Sequence, residues 1–441
     1  MSLAVSKRGI YRSATGVIDA LSPSVDTVTV RLLDAVASTT QRVYFPSGIK
    51  NIKGVMSIQN AAEDFAGSLS GRAQSVYAWY DGTNHFCVEQ WVDSETAALT
   101  MKSLRGHNTL SIARFSDVAP YTSAPNRSHA VTGFGDGYVD IQTLVDTSAQ
   151  LDRYITLRAF GGDEITGAEV WTLDDLGTGT SAVPVSGLAI TPSMTYIATV
   201  DESTPLASFN DSTLSGLAES KFSVGWALNQ DGTPQGCYGI AATNNEAAPV
   251  SLATVISNTK CLSVVTDAGS INYSVTCGSW TSSGFSLTPS SSASNAICGG
   301  MALELSDDFN VEMFNVTIPG TSGNYTQTVT GVSEDALIWG MHGATSYNAA
   351  TTASAMCEII TSINSHSIST AMTTYVSGIT DNDAAARSRL DRELFAWEWN
   401  GSAQSQILAS SGYTITDGEI EATLTTNPSS NIIGIGLSFY T

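Results

Sequence analysis

Four pairs of neighbouring carboxylates stand out first: Asp163-Glu164, Asp174-Asp175, Asp307-Asp308 and Glu334-Asp335. Two convergent carboxylates can cleave a glycosidic bond, with their separation setting inversion or retention. Adjacent residues on a strand point to opposite faces, however, so adjacency argues against a shared site. Asp307-Asp308 reads better as a solvated linker. A second chemistry is sugar binding. Tyr80, Trp399 and Tyr413 are aromatic residues near Asp and Asn at turns, a combination that suits stacking plus hydrogen bonding to a saccharide. Tyr80, Asp81, Asp231, Trp399 and Asn400 are the candidate binding residues. Core or inter-subunit packing is the competing role for the same aromatics.

Other constellations are missing. The chain has no GxxxxGK[ST] phosphate loop, no GxSxG elbow and no HExxH, so the common nucleotide, hydrolase and zinc-protease chemistries lack their residues. The five histidines (85, 107, 129, 342, 366) show no ligand spacing, and none of the six cysteines (87, 237, 261, 277, 298, 357) forms a CxxC pair. No catalytic residue, cofactor or metal site is assigned. The cysteines read as free, buried thiols, with one pair among 237, 261, 277 and 298 left open. Arg387, Arg389 and Arg392 form a lone basic cluster, suited to salt bridges within or between subunits.

The charge balance narrows the partners. The 441 residues carry 19 Lys and Arg against 41 Asp and Glu, a net charge of −22. Nucleic-acid binding needs clustered cations, so no nucleic-acid partner is expected. No apolar run approaches the length of a membrane helix, and no membrane insertion is expected. At the N-terminus the charges follow a short apolar patch, the reverse of a secretion signal. Residues 1–115 hold 11 basic and 9 acidic groups, and residues 116–441 hold 8 and 32. The near-neutral first part is the expected attachment unit, with the acidic remainder in water.

The elements that position these residues are mostly strands. Thr27–Leu32, Tyr196–Val200, Leu262–Thr266, Ile271–Thr276 and Glu419–Leu424 are rich in Val, Ile, Thr and Tyr. Residues 56–75 and 381–396 are the candidate short helices. Three tryptophan segments look alike: each runs to Trp79, Trp226 or Trp397 and then to a turn at Asp81-Gly82, Asp231-Gly232 or Asn400-Gly401. The spacing predicts a hairpin whose Trp fills a core and whose glycine takes the positive φ of the turn. Phe115 and Phe314 are each followed by a Val-Thr-Gly, at Val131-Thr132-Gly133 and Val329-Thr330-Gly331. Leu110–Phe115, Ile297–Leu305 and Ile432–Tyr440 read as strands that close each unit. These motifs divide the chain into three β domains, 1–116, 117–307 and 308–441, the middle one carrying a long insertion. The fold class expected is all-β, three tandem jelly-roll-like β-sandwiches with a few short helices.

The order Phe314, Thr326-Gln327-Thr328-Val329-Thr330-Gly331-Val332, a Trp–turn–Gly hairpin and the closing Ile433-Gly434-Ile435-Gly436-Leu437-Ser438-Phe439 resembles the repeated β-sandwich units of tailed-bacteriophage virion proteins. Tail fibres and related tail or head appendages are the most similar types. The resemblance is best over 310–441 and weakest in the first unit. It implies a non-enzymatic structural protein of the virion, assembled in the host cytoplasm, with other virion subunits as partners. It also implies a homo-oligomer, a trimer by preference, and contact with a host surface glycan. A head decoration protein and a secreted carbohydrate-binding adhesin are the alternatives.

Overall fold

The computed structural model describes residues 23–440 apart from 33–37, 61–67, 71, 94–99, 107–110, 116–124, 147–152, 202–218, 244–251, 294–295, 330–334, 343, 345, 353–354, 365–367, 377–385, 392–396, 401–403, 417 and 427–431. The described residues are all-β and hold no helix. Their strands form antiparallel sheets that alternate along the chain between a large sheet and a four-stranded one.

The first eleven strands are β1 (Val25–Leu32), β2 (Thr40–Tyr44), β3 (Gly54–Asn60), β4 (Ser68–Ser70), β5 (Arg72–Tyr80), β6 (His85–Asp93), β7 (Thr100–Gly106), β8 (Ser111–Phe115), β9 (Pro125–Gly135), β10 (Tyr138–Asp146) and β11 (Arg153–Phe160). They build a sheet ordered β1-β11-β3-β5-β6-β7 and a second ordered β2-β10-β9-β8. The next ten are β12 (Ile165–Leu173), β13 (Ser181–Pro184), β14 (Met194–Asp201), β15 (Glu219–Leu228), β16 (Gln235–Thr243), β17 (Leu252–Ser257), β18 (Leu262–Val265), β19 (Ile271–Thr281), β20 (Gly284–Pro289) and β21 (Ile297–Leu305). They give β12-β21-β14-β15-β16-β17 and β13-β20-β19-β18. The last eleven are β22 (Asn310–Ile318), β23 (Gly323–Thr328), β24 (Asp335–His342), β25 (Thr351–Thr352), β26 (Ala355–Asn364), β27 (Ile368–Val376), β28 (Ala386–Asp391), β29 (Trp397–Asn400), β30 (Gln404–Thr416), β31 (Glu419–Thr426) and β32 (Ile432–Tyr440). They give β22-β32-β24-β26-β27-β28 and β23-β31-β30-β29. The same ten-strand order thus occurs three times, over 25–160, 165–305 and 310–440. The two short strands outside this scheme, β4 and β25, add to the edges of other units' large sheets.

Each four-stranded sheet packs on its own large sheet. In the first unit Val43, Val131, Val139 and Ile141 meet Val55, Ala78 and Leu157. Trp171, Val183, Val264 and Leu287 do the same in the second, and Val316, Ile338, Ile420 and Leu424 in the third. The other faces of the three large sheets meet one another in a single apolar core. That burial on both faces explains the sequence of the inner strands. All positions of β3, β14 and β21 are buried, so they read as continuous apolar runs rather than the alternation of a half-solvated antiparallel sheet. Strands of the outer sheets, such as β13, keep the alternation.

Several sequence expectations need correction. The expected helix at 56–75 is a strand at Gly54–Asn60 and again at Ser68–Ser70 and from Arg72 on. Its Ala-Ala-Glu-Asp stretch favours helix but lies outside the described residues; the residues on either side pair in sheets, where tertiary context overrides local propensity. In the expected helix at 381–396, Ala386–Asp391 is a strand paired with β27 and β4, and the rest lies outside the described residues. The first two Trp hairpins form as expected, β5–β6 and β15–β16, with Trp79 and Trp226 fully buried and Gly82 and Gly232 at φ 98° and 79°. Trp397 instead starts β29 of an outer sheet. In the third unit the hairpin at that place in the strand order is β26–β27, and a buried Trp339 stands on β24 beside it. Val131 lies within β9 while Val329 follows β23, so the two Val-Thr-Gly segments occupy different places in the strand order. The strand pairing also runs across residues 116/117: β8 pairs with β9, and β11 pairs with β1 and β3. The expected closing strand at Leu110–Phe115 is instead, over Ser111–Phe115, the edge strand β8 of the outer sheet, and the closing place belongs to Arg153–Phe160. The division at 307/308 falls between β21 and β22.

Candidate functional site

The densest chemistry lies where the three large sheets meet. Trp226 of the second unit stacks on Trp339 of the third at 4.2 Å, and Tyr77 of the first meets the same indole edge-on at 5.9 Å. Beside them the Tyr77 and Tyr238 hydroxyls lie 2.9 Å apart. Tyr238 Oη donates to Glu358 Oε1, and Ser75 Oγ donates to Glu358 Oε2. One carboxyl of the third unit therefore ties together hydroxyls from the other two. Burial pushes the Glu358 carboxyl up to about 7, against the pull of the Ser75, Tyr238 and Tyr77 hydroxyls.

A second polar group joins the first and third units. Arg158 Nη2 is paired with Asp335 Oδ2, and both side chains have no solvent exposure. Arg158 Nη1 donates to Ser362 Oγ at 2.8 Å, and Thr27 Oγ1 donates to Asp335 Oδ1 at 3.2 Å. Burial raises the Asp335 carboxyl to about 6, against the Arg158 guanidinium and the Thr27 hydroxyl. A buried charge needs such pairing, since desolvation costs several kcal/mol per ion. These groups are sealed from solvent in the folded chain. Their chemistry is to fasten units together.

The hairpin turns make smaller fastenings of the same kind. Asp81 Oδ1 accepts from the backbone N–H of Thr83 and Asn84, while Oδ2 accepts from Val170 N of β12 at 2.8 Å. Gln230 Nε2, on the second hairpin turn, donates to Val311 O of β22 at 2.7 Å. Each turn thus reaches the first strand of the following unit.

The candidate binding residues are spread over three sheets. Tyr80 is buried, stacked on His85 at 4.2 Å and set edge-on to Phe134 at 5.6 Å, so its ring serves the first sandwich interior. Asp81 follows it and caps the turn. Asp231 is exposed on the second hairpin turn. Trp399 and Asn400 are in β29 of the third unit's outer sheet, opposite Ser405 and Gln404, and their side chains lie outside the described residues. Tyr413 lies in β30, and its side chain is outside the described residues too. The five described cysteines are free and buried. Burial lifts the Cys237 thiol up to about 12, well clear of a reactive thiolate. Among the described residues no group of three or more His, Cys, Asp and Glu could hold a metal ion.

Solvent meets the outer sheets. On β2 and β10, Arg42 clasps Asp140 through two 2.7 Å hydrogen bonds and lies 3.8 Å over the Tyr138 ring. Tyr44 stands beside that ring at 6.0 Å and is 66% exposed, the most exposed large hydrophobic among the described residues. In the third unit a shallow depression of about 290 Å³ is lined by Asn324, Thr326, Thr414, Glu421 and Thr423. Both faces present fixed polar groups to solvent, and the first adds one exposed ring. Sequence reasoning missed Tyr44, Tyr138 and Arg42. The signal was the register, because Arg42 pairs with Asp140 and Tyr44 with Tyr138 only when β2 lies on β10.

No family model matches the chain, and no curated protein is recognisably similar to it.

Proposed function

We propose that this chain is a non-enzymatic structural protein of a tailed-phage virion, built from three jelly-roll-like β-sandwich domains around one shared core. The observation that carries the reading is the threefold recurrence of one ten-strand order with the large sheets packed inward. Such a block presents outer sheets and loops as contact surfaces and keeps its ionisable clusters inside. Other virion subunits are the partners, and a tail fibre or appendage is the favoured location. Homo-oligomerisation, with a trimer favoured, belongs to the same proposal.

Attachment through the first unit gains support from the strand-based division. Residues 1–160 carry 14 basic and 14 acidic side chains, whereas residues 161–441 carry 5 and 27. The whole net charge therefore sits on the second and third units. A neutral surface docks against a neighbour without the self-repulsion that an acidic one carries. Antibody labelling of assembled particles tests the reading. Label at a fixed site on every particle supports it, and absence of the chain from purified particles overturns it.

Glycan contact is the second reading, and the exposed Tyr44 ring beside Tyr138 favours it. Glycan-array binding that is lost on Tyr44→Ala supports that reading. Array binding unchanged by the substitution removes this surface from it.

A further inference from the structure

The three outer sheets share one strand order, so their first two strands are equivalent: β2 with β10, β13 with β20, and β23 with β31. Their solvent faces differ. The first carries Arg42 and Tyr44 on β2 with Tyr138 and Asp140 on β10. The second carries small groups, Ala182 and Pro184 on β13 with Ser286 and Thr288 on β20. The third carries Asn324 and Thr326 on β23 with Glu421 and Thr423 on β31. One face raises a ring, one is lined by small groups and one holds a depression.

Tyr44 is the knob. It stands well out of the surface, while Tyr138 beside it is half-buried. Arg42 is fixed between Asp140 and the Tyr138 ring, so the base of the knob is set before anything binds. A preformed contact costs less side-chain entropy on association. Arg31, also exposed, lies at the same edge, its carbonyl accepting from Gln41 Nε2 at 3.0 Å. Tyr and Arg are the side chains that most often anchor protein interfaces.

The depression of about 290 Å³ is the socket. It falls just below the roughly 300–1,000 Å³ of small-molecule sites and has room for one phenol ring. Its walls are polar: Glu421 accepts from Thr414 Oγ1 and Asn324 Oδ1 from Thr423 Oγ1, both at 3.3 Å. Strands β23, β29, β30 and β31 hold Glu398, Glu419 and Glu421 and no Lys or Arg. Residues 308–441 as a whole carry 3 basic and 13 acidic side chains. Two acidic faces repel, so the face that suits this one is the first, with Arg31 and Arg42. Each outer sheet lies on the far side of its own large sheet from the shared core. Knob and socket of one chain therefore sit on outward faces of different units, and a contact between them joins two copies.

We propose that the first unit of one copy docks on the third unit of the next, with Tyr44 seated in the depression beside Thr326, Thr414 and Glu421 and Arg42 facing the Glu421 carboxylate. Such a contact is heterologous and repeats head to tail around a ring. It assigns surfaces to the homo-oligomer of the reading above and rests on that part of it.

The test is light scattering on the purified full chain and two single variants, Tyr44→Ala and Glu421→Lys. Both positions are exposed, so both variants should melt with the parent. The parent should form oligomers that grow with concentration to a closed size. Each variant alone should weaken association about tenfold or more. The equimolar mixture is the diagnostic arm. The Tyr44→Ala chain keeps its socket and the Glu421→Lys chain keeps its knob, so the mixture should form a dimer and nothing larger. A parent that stays monomeric overturns the proposal, as does association untouched by either variant or a mixture that behaves as the variants do separately. Glycan-array binding by a monomeric parent, lost on Tyr44→Ala, also overturns it and gives the ring to a saccharide. Labelling of assembled particles is read separately, so the virion assignment can fail while the contact between copies holds.

Discussion

The sandwich interiors and the central core are both sealed from water, yet they are made differently. The interiors are mainly aliphatic: Val55, Leu157 and Ile141 in the first unit, Ile197, Val264 and Leu287 in the second, Ile338, Ile359 and Leu424 in the third. The central core is richer in aromatic rings, with Tyr77, Trp79, Tyr196, Trp226, Tyr238 and Trp339 among its largest side chains. It also borders the buried carboxyls Asp335 and Glu358. Aliphatic side chains fill a slot between two sheets of one unit. Aromatic rings from different units meet where the three sheets converge, and the Tyr77 and Tyr238 hydroxyls bring hydrogen bonds with them. The difference separates two tasks: the interiors define each unit, and the central core makes the units dependent on one another.

The largest expected effect is at the indole shared by all three units. Trp339→Ala should cost about 3–5 kcal/mol, read by chemical denaturation, and should speed hydrogen exchange in all three large sheets. Ile359→Ala, in the third sandwich interior, should cost about 2–5 kcal/mol but speed exchange mainly within 310–440. Equal spread from both variants would erase the distinction. Asp335→Ala comes next. It strands the Arg158 guanidinium and should cost about 3–5 kcal/mol, whereas the double replacement Arg158→Met with Asp335→Leu should recover most of it.

Glu358 supplies a pH test of the central core. Its folded carboxyl is raised to about 7 from an ordinary 4.5, so the folded chain holds this proton more tightly than the unfolded one. The stabilisation is complete below about pH 4.5 and is lost as pH rises through about 7, a change on the order of 3 kcal/mol. Asp335, raised to about 6, acts in the same direction. Thermal melting of Glu358→Gln should therefore lose less stability between pH 5 and pH 8 than the parent chain. Parallel pH curves for the two proteins would remove Glu358 from the junction. The smallest effect belongs to the turns: Asp81→Ala should cost about 1 kcal/mol, with faster exchange at β12 as well as at its own hairpin.

Much of the fold was legible because local chemistry decides it. Asp-Gly after Trp79 and Trp226 marks a hairpin wherever the chain is placed, and Val, Ile and Thr runs mark strands. Asp307-Asp308 interrupts two apolar runs, and β21 and β22 lie on either side of it. No comparable signal marks the end of β8. Leu110–Phe115 has the composition of a closing strand, and only pairing with β9 places it at an outer edge. The inner strands hid their layer for a related reason. A sheet covered on both faces loses the period-2 signal, so Gly54–Asn60 reads ambiguously. The fastening residues were least visible. Asp335 stands in the sequence only as half of an acidic pair, nothing local singles out Arg158, and their partnership spans 177 residues.

Differential scanning calorimetry of the full chain near pH 6 tests the dependence of the units most directly. A shared central core should give one transition, with calorimetric and van't Hoff enthalpies in agreement. Trp339→Ala should move that single transition down as a whole. Two or three separable transitions in the parent chain, with only the last shifted by Trp339→Ala, would show units that fold independently and would contradict a common core.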